Sequence, residues 1–125
     1  MSHVPTDVKF TKDHEWARVT GKQVVVGITD YAQHELGDIV YVELPENGAS
    51  VQKGEPFGEI EAVKTVASLF SPLSGKVIEV NTALADRADS INSDPYGEGW
   101  IIKIEMSDPA EAAALLSPEQ YKELI

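Results

Sequence analysis

The residue that stands out chemically is Lys64. It lies at the midpoint of Gly58-Glu59-Ile60-Glu61-Ala62-Val63-Lys64-Thr65-Val66-Ala67-Ser68-Leu69-Phe70, an apolar, β-prone stretch broken by one cation. A lysine on a half-buried strand ordinarily points outward and keeps its ammonium in water, and that is one reading of the position. The flanks supply another: Ile60-Glu61-Ala62-Val63 before the lysine and Thr65-Val66-Ala67-Ser68 after it are roughly mirror-related. Such symmetry suits two strands meeting at a hairpin tip. The Asn-Gly or Asp-Gly of a tight hairpin is absent, so turn rules alone leave both readings open.

His14, Glu15 and His34 are the other candidates for chemistry, as metal ligands or acid–base groups. His14-Glu15 lacks the second histidine four positions on that a zinc-binding helix requires, and it lies in a strand-like segment. There is no Gly-rich phosphate loop and no nucleophile elbow. The chain also has no cysteine, which removes disulfides, thiolate metal sites and cysteine nucleophiles together and fits an intracellular protein. Sulfur chemistry would have to be imported. No catalytic residue and no metal ligand is assigned.

The elements that must position these residues are mostly strands. Residues 24–28 and 39–44 are β-branched runs bounded by Gly, Asp and Pro. Between them, Thr29 or Asp30 offers a helix cap, Tyr31, Ala32 and Leu36 recur at helical spacing, and Gly37 is a stop. Residues 57–63, 66–70 and 76–80 read as further strands, with Ser71-Pro72-Leu73-Ser74-Gly75 as a turn. Turn chemistry fills 91–99, and 100–105 resumes a strand. Asp108-Pro109-Ala110-Glu111 and Ser117-Pro118-Glu119-Gln120 each combine a cap, a proline at the first helical position and an acidic or amide residue after it, so they predict two C-terminal helices.

At 125 residues the chain suits one domain, 1–125, without room for a second with its own cleft. The net charge of −11, from 21 acidic and 10 basic residues, repels nucleic acid and anionic membranes. It serves either solubility or steering toward basic partner sites. No window approaches the roughly 18 apolar residues of a membrane span, and residues 1–10 show no targeting segment. The expected location is the bacterial cytoplasm, or the mitochondrial matrix for a processed form.

Glu61-Ala62-Val63-Lys64 resembles the segment that carries lipoyl-lysine in glycine cleavage H proteins. Asp13-His14-Glu15-Trp16, Gly27-Ile28-Thr29-Asp30-Tyr31-Ala32-Gln33, Val42-Glu43-Leu44-Pro45, Ser71-Pro72-Leu73-Ser74-Gly75 and Asn92-Ser93-Asp94-Pro95-Tyr96-Gly97-Glu98-Gly99-Trp100 match other segments of that family in order and at similar spacing. The resemblance runs from Asp7 to the C-terminal helices. It implies a lipoyl-domain-like β-sandwich, a barrel-sandwich hybrid with a short internal helix and C-terminal helices, and lipoic acid joined to Lys64 at an exposed hairpin tip. It also implies a non-catalytic shuttle. Glycine decarboxylase (P protein) would load an aminomethyl group, aminomethyltransferase (T protein) would take the one-carbon unit, and dihydrolipoamide dehydrogenase (L protein) would reoxidise the dithiol. Lipoate-attaching enzymes would modify the lysine. By the same resemblance Glu15 would supply a carboxylate to a pocket for the loaded arm, aided by Asp13, where the family more often has serine, and by Ser68, where it usually has aspartate. Trp16 and Trp100 are expected to pack rather than touch cofactor.

Two rival carriers remain. Biotinyl domains share the architecture, but biotinyl lysines typically sit between methionines, and Lys64 lies between Val63 and Thr65. A lipoyl relay protein supplying other lipoyl-dependent enzymes has the same sequence features and is left open.

Overall fold

The computed structural model describes residues 3–125. Nine strands form two antiparallel sheets among these residues. The larger runs β1 (Lys9–Phe10), β2 (Glu15–Thr20), β3 (Gln23–Ile28), β9 (Ile102–Met106), β8 (Gly75–Val80), β5 (Ser50–Val51) in spatial order. The smaller runs β4 (Ile39–Glu43), β6 (Pro56–Ala62), β7 (Val66–Phe70). The two sheets make a sandwich that does not close, and the protein is mainly β with few helices.

Strand alternation explains the core. Val24, Val26 and Ile28 of β3, Ile102, Ile104 and Met106 of β9, Val42 of β4, Ile60 of β6 and Leu69 of β7 all belong to one buried cluster, as period-two side-chain alternation requires. A second cluster of Val8, Phe10, Trp16 and Tyr121 forms where the C-terminal helix α4 (Pro118–Leu124) covers β1 and β2. There the rings of Phe10 and Tyr121 stack at 4.4 Å and 5°. Gly27 opposes Trp16 across β2 and β3, and a Cβ at that glycine would lie 2.7 Å from the indole. Glycine therefore lets the ring lie flat against the sheet.

Helix α1 (Asp30–Leu36) begins as the sequence predicts, with the Thr29 hydroxyl accepting from the Ala32 N–H at 3.1 Å. It stops at Gly37, whose φ of 79° lies in the region glycine enters freely. Helix α4 carries the full capping box between Ser117 and Gln120. The helix expected after Asp108 is reduced to the single turn α3 (Ala110–Ala113). Asp108 Oδ1 accepts from the Ala110 N–H, while Glu111 spends its carboxylate on the Ser74 N–H and hydroxyl instead of returning to the cap.

Other expectations are corrected. The strand expected from residue 100 starts at Ile102, because the Trp100 N–H donates to the Gly97 carbonyl and the Trp100 carbonyl accepts from Asn81 Nδ2. A 3-10 turn at Thr82–Ala85 and the short helix α2 (Ser90–Ser93) occupy a region read as loop or left unread. Strand β1 is only two residues long, too short to leave a period-two pattern in the sequence. Among the described residues no helix is long and apolar enough to cross a membrane.

Candidate functional site

Lys64 occupies the tip of the hairpin joining β6 and β7. The register pairs Glu61 with Val66 and Ile60 with Ala67, so the mirror symmetry of the sequence is the symmetry of strand pairing. The Ala62 N–H donates to the Thr65 carbonyl at 2.8 Å, and the Val63 N–H donates to the Asp38 carbonyl at 3.0 Å. No residue at this tip has a positive φ. A primed two-residue turn would need one, which is why the usual glycine signal is missing. The Lys64 side chain is exposed. Val63 and Val66 beside it are 69% and 56% exposed, and Val40 and Tyr41 of β4 are also exposed, giving the tip an apolar rim.

Alongside this hairpin is a cleft of about 310 Å³. Its floor is apolar, from Ile28, Ile60 and Leu69, and its polar groups come from the start of β2, from β7 and from α1. Asp13, Glu15 and Ser68 all line it. The register places Ser68 four residues from Lys64 on the same arm of the hairpin, about 13 Å along the strand.

Glu15 is only 2% exposed. Its Oε1 accepts from the Thr11 hydroxyl at 2.7 Å, and its Oε2 accepts from the Phe70 N–H at 3.3 Å. Burial pushes its carboxyl up to about 7, against the opposing pull of those two donors and with a further push from the Asp13 charge. Glu15 is a fully enclosed carboxylate held from both sides, not a solvated strand residue. It and Asp13 also border a second cleft of about 250 Å³, beside Lys12 and Lys53.

Three polar cleft residues carry no pocket assignment from the sequence: His14, Tyr31 and Glu35. Tyr31 and Glu35 stand four apart on α1, a spacing that puts both on one helix face, so their shared orientation was available in principle. Their aim toward β2 was not. His14 has a φ of 69°, the one positive φ outside glycine among the described residues, and strained backbone of this kind clusters at functional sites. His34 lies apart from this group, pairing with Asp30 at 3.5 Å. Among the described residues no three His, Asp or Glu side chains are grouped to hold a metal ion.

Both tryptophans pack. Trp16 is wholly buried and its indole N–H donates to the Pro95 carbonyl at 3.0 Å. Trp100 packs against the second cluster, with the Lys103 ammonium over its ring at 5.2 Å.

The resemblance drawn from the sequence implies a lipoyl arm on Lys64, and the residues present fit it. Lys64 is an exposed primary amine, the cleft beside it has an apolar floor for a long arm, and Asp13, Glu15 and Glu35 line that cleft with carboxyl groups that would suit an amine at the arm's end.

Comparison with known proteins gives the family. The family model described as glycine cleavage H-protein matches residues 8–125. The glycine cleavage system H protein of Rubrobacter xylanophilus is 55% identical over 121 residues, covering 97% of this chain and 94% of that protein. That of Myxococcus xanthus is 51% identical over 123 residues, covering 98% and 95%. The crystal structure of a glycine cleavage system H protein from Mycobacterium marinum superposes with a TM-score of 0.89 at 40% identity, over 96% of this chain and 97% of that one.

Proposed function

The chain belongs to the glycine cleavage H-protein family, and from that membership we propose that it carries lipoic acid on Lys64 and shuttles an aminomethyl group between the enzymes of glycine cleavage. As a family member it is a non-catalytic carrier subunit. The observation that carries the reading is the exposed lysine at the tip of the β6–β7 hairpin, beside a cleft lined by Asp13, Glu15 and Ser68.

When bound, lipoate supplies a disulfide that accepts an aminomethyl group and is later reoxidised from the dithiol. The protein supplies position. Acylation converts the Lys64 ammonium to an amide and removes its charge. The hairpin then offers the arm to each partner at high effective concentration without tight docking. Glycine decarboxylase, aminomethyltransferase and dihydrolipoamide dehydrogenase are the partners in this reading, and the exposed valines around the tip suit brief apolar contact with them. We take residues 1–125 as one carrier unit acting in the bacterial cytoplasm, in keeping with its bacterial relatives.

Between visits the cleft holds the loaded arm. Glu15 gives a carboxyl that burial pushes up to about 7; a cationic amine beside it would favour its ionised form, and Thr11 and the Phe70 N–H hold the group in place. Asp13 supplies a second negative charge from the loop, and Ser68 a hydroxyl from β7.

Intact mass and peptide mapping of the protein from lipoate-replete cells test this directly. One lipoyl group on Lys64, lost in Lys64→Arg, is the expected result. Biotin in its place, or lipoyl surviving in the variant, would overturn the attachment site. Glu15→Ala should shorten the lifetime of the loaded arm by about tenfold or more, the loss of one hydrogen-bonded charge contact. An unchanged lifetime would remove Glu15 from the pocket.

A further inference from the structure

Three polar atoms from distant parts of the chain form a line behind the cleft. The Thr29 hydroxyl, which caps α1, lies 2.7 Å from the Tyr121 hydroxyl of α4. Tyr121 Oη lies 2.8 Å from His14 Nδ1. Thr29 and Tyr121 are both wholly buried, so neither hydroxyl hydrogen can turn to water.

Counting donors assigns the protons. The Thr29 oxygen already accepts from the Ala32 N–H, and among the described residues the only partner left for its own hydrogen is Tyr121. If Thr29 donates to Tyr121, Tyr121 donates to His14 Nδ1 and every hydrogen is used. The reverse direction, from an Nδ1–H through Tyr121 to Thr29, leaves the buried Thr29 hydrogen without an acceptor, which is costly. The first direction puts the single imidazole proton on Nε2. No side-chain nitrogen or oxygen is both buried and unpartnered among the described residues. Among the described residues Nε2 has no protein partner, so it is not buried; His14 lines the cleft, and Nε2 is the ring nitrogen free to face it.

We propose that Tyr121 is a positioning residue for the cleft: by donating to Nδ1 it holds His14 as the neutral Nε2–H tautomer, so the cleft is offered an N–H donor and no free imidazole base. The consequence for function rests on the arm reading given above. In an S–CH2–NH3+ group the carbon–sulfur bond holds while the nitrogen is protonated. Once the proton is removed, the nitrogen lone pair can form a C=N bond as the C–S bond breaks and the sulfur leaves as thiolate, so the aminomethyl unit is lost to water. A cleft that stores it is therefore served by carboxylates and harmed by an unoccupied basic nitrogen.

The surroundings agree. Burial lowers the His14 pKa, outweighing the pull of Asp13 and Glu35 toward the charged ring. Glu15 borders the same cleft, and the Tyr31 ring lies 4.8 Å from the imidazole. Burial pushes the Tyr121 phenol up to about 12, so it keeps its proton to donate. The backbone turn at His14 is fixed by the Thr29 N–H, which donates to the His14 carbonyl at 3.0 Å. The same threonine thus holds the ring's backbone and begins its proton chain.

Long-range proton–nitrogen NMR of the full-length, unmodified protein reads the tautomer without reference to the arm. The expected spectrum shows a protonated Nε2 and an accepting Nδ1 at neutral pH, and an Nδ1–H or charged ring would overturn the proposal. Tyr121→Phe should give mixed tautomers, whereas Thr29→Ser, which keeps the hydroxyl, should keep the native one. An unaltered spectrum in Tyr121→Phe would also overturn it. In the lipoylated, loaded protein Tyr121→Phe should speed loss of the amine about tenfold, short of the ~100-fold or more of a well-placed general base; no change would remove the consequence for the cleft. The wild-type spectrum decides the proton placement even if the variant does not fold. Failure of lipoylation at Lys64 would sink the carrier reading and leave the tautomer result standing.

Discussion

Glu15 holds its proton more tightly in the folded chain than in the unfolded one, and that difference has a sign that can be measured. Its carboxyl titrates at about 7 when buried, against about 4.3 in an unfolded chain. Between these values the native state binds more protons, so stability falls as pH rises through that window. Below it both states are protonated and the cost vanishes. The full effect is on the order of 3 kcal/mol. His14, whose pKa is lowered by burial, works oppositely, so the wild type alone does not isolate Glu15. Glu15→Gln does. In urea unfolding at about pH 5 and about pH 8, the wild type should lose roughly 1–3 kcal/mol more than the variant on going to the higher pH. Parallel behaviour of the two proteins would show that this carboxyl is not held protonated by burial.

At the scale of elements, hairpin, helix and strand each meet the cleft because a local rule and a packing constraint coincide. The β6–β7 hairpin projects Lys64 because pairing centres on the 63–64 peptide. Helix α1 presents Tyr31 and Glu35 because Thr29 fixes where it starts. Strand β2 holds Glu15 inward while Trp16, the next residue, turns to the opposite face and packs over Gly27. That packing is the seam of the element. In Gly27→Ala the new methyl would meet an indole already fixed by the Pro95 carbonyl, and overpacking of this kind costs about 1–3 kcal/mol. The expected result is a lower urea midpoint with an unchanged slope. A midpoint within error of wild type would mean that the indole yields freely.

For the whole molecule, charge is the property that the proposed shuttle role would use. Between Lys53 and Lys76 the only cation in the sequence is Lys64, and Asp38, Glu43, Glu59 and Glu61 are exposed on or beside the small sheet. Acylation of Lys64, as proposed, would remove the one Lys or Arg charge of this segment. With a net charge of −11, encounter with basic partner sites should be steered by long-range attraction that salt screens over about 8–10 Å. Apparent affinity for glycine decarboxylase, the proposed loading partner, should therefore fall steadily as salt is raised. A flat response would leave the charge as a matter of solubility.

The sequence by itself determined the strands around Lys64, the limits of α1, the capping box of α4 and the mirror symmetry about the hairpin, because each depends on neighbours a few residues apart. Its segments also carried the family resemblance. It did not show that 64 was a tip, since a turn without positive φ leaves no glycine mark. Asp13 and Ser68 beside Glu15 came only from the resemblance. Tertiary structure alone decided that Glu15 is enclosed between Thr11 and Phe70, and that His14, Thr29 and Tyr121 join in one hydrogen-bonded line. Those pairings span 55 residues between Glu15 and Phe70 and 107 between His14 and Tyr121. Contacts at such separations are fixed by how two sheets and a terminal helix pack together, and no local periodicity encodes that packing.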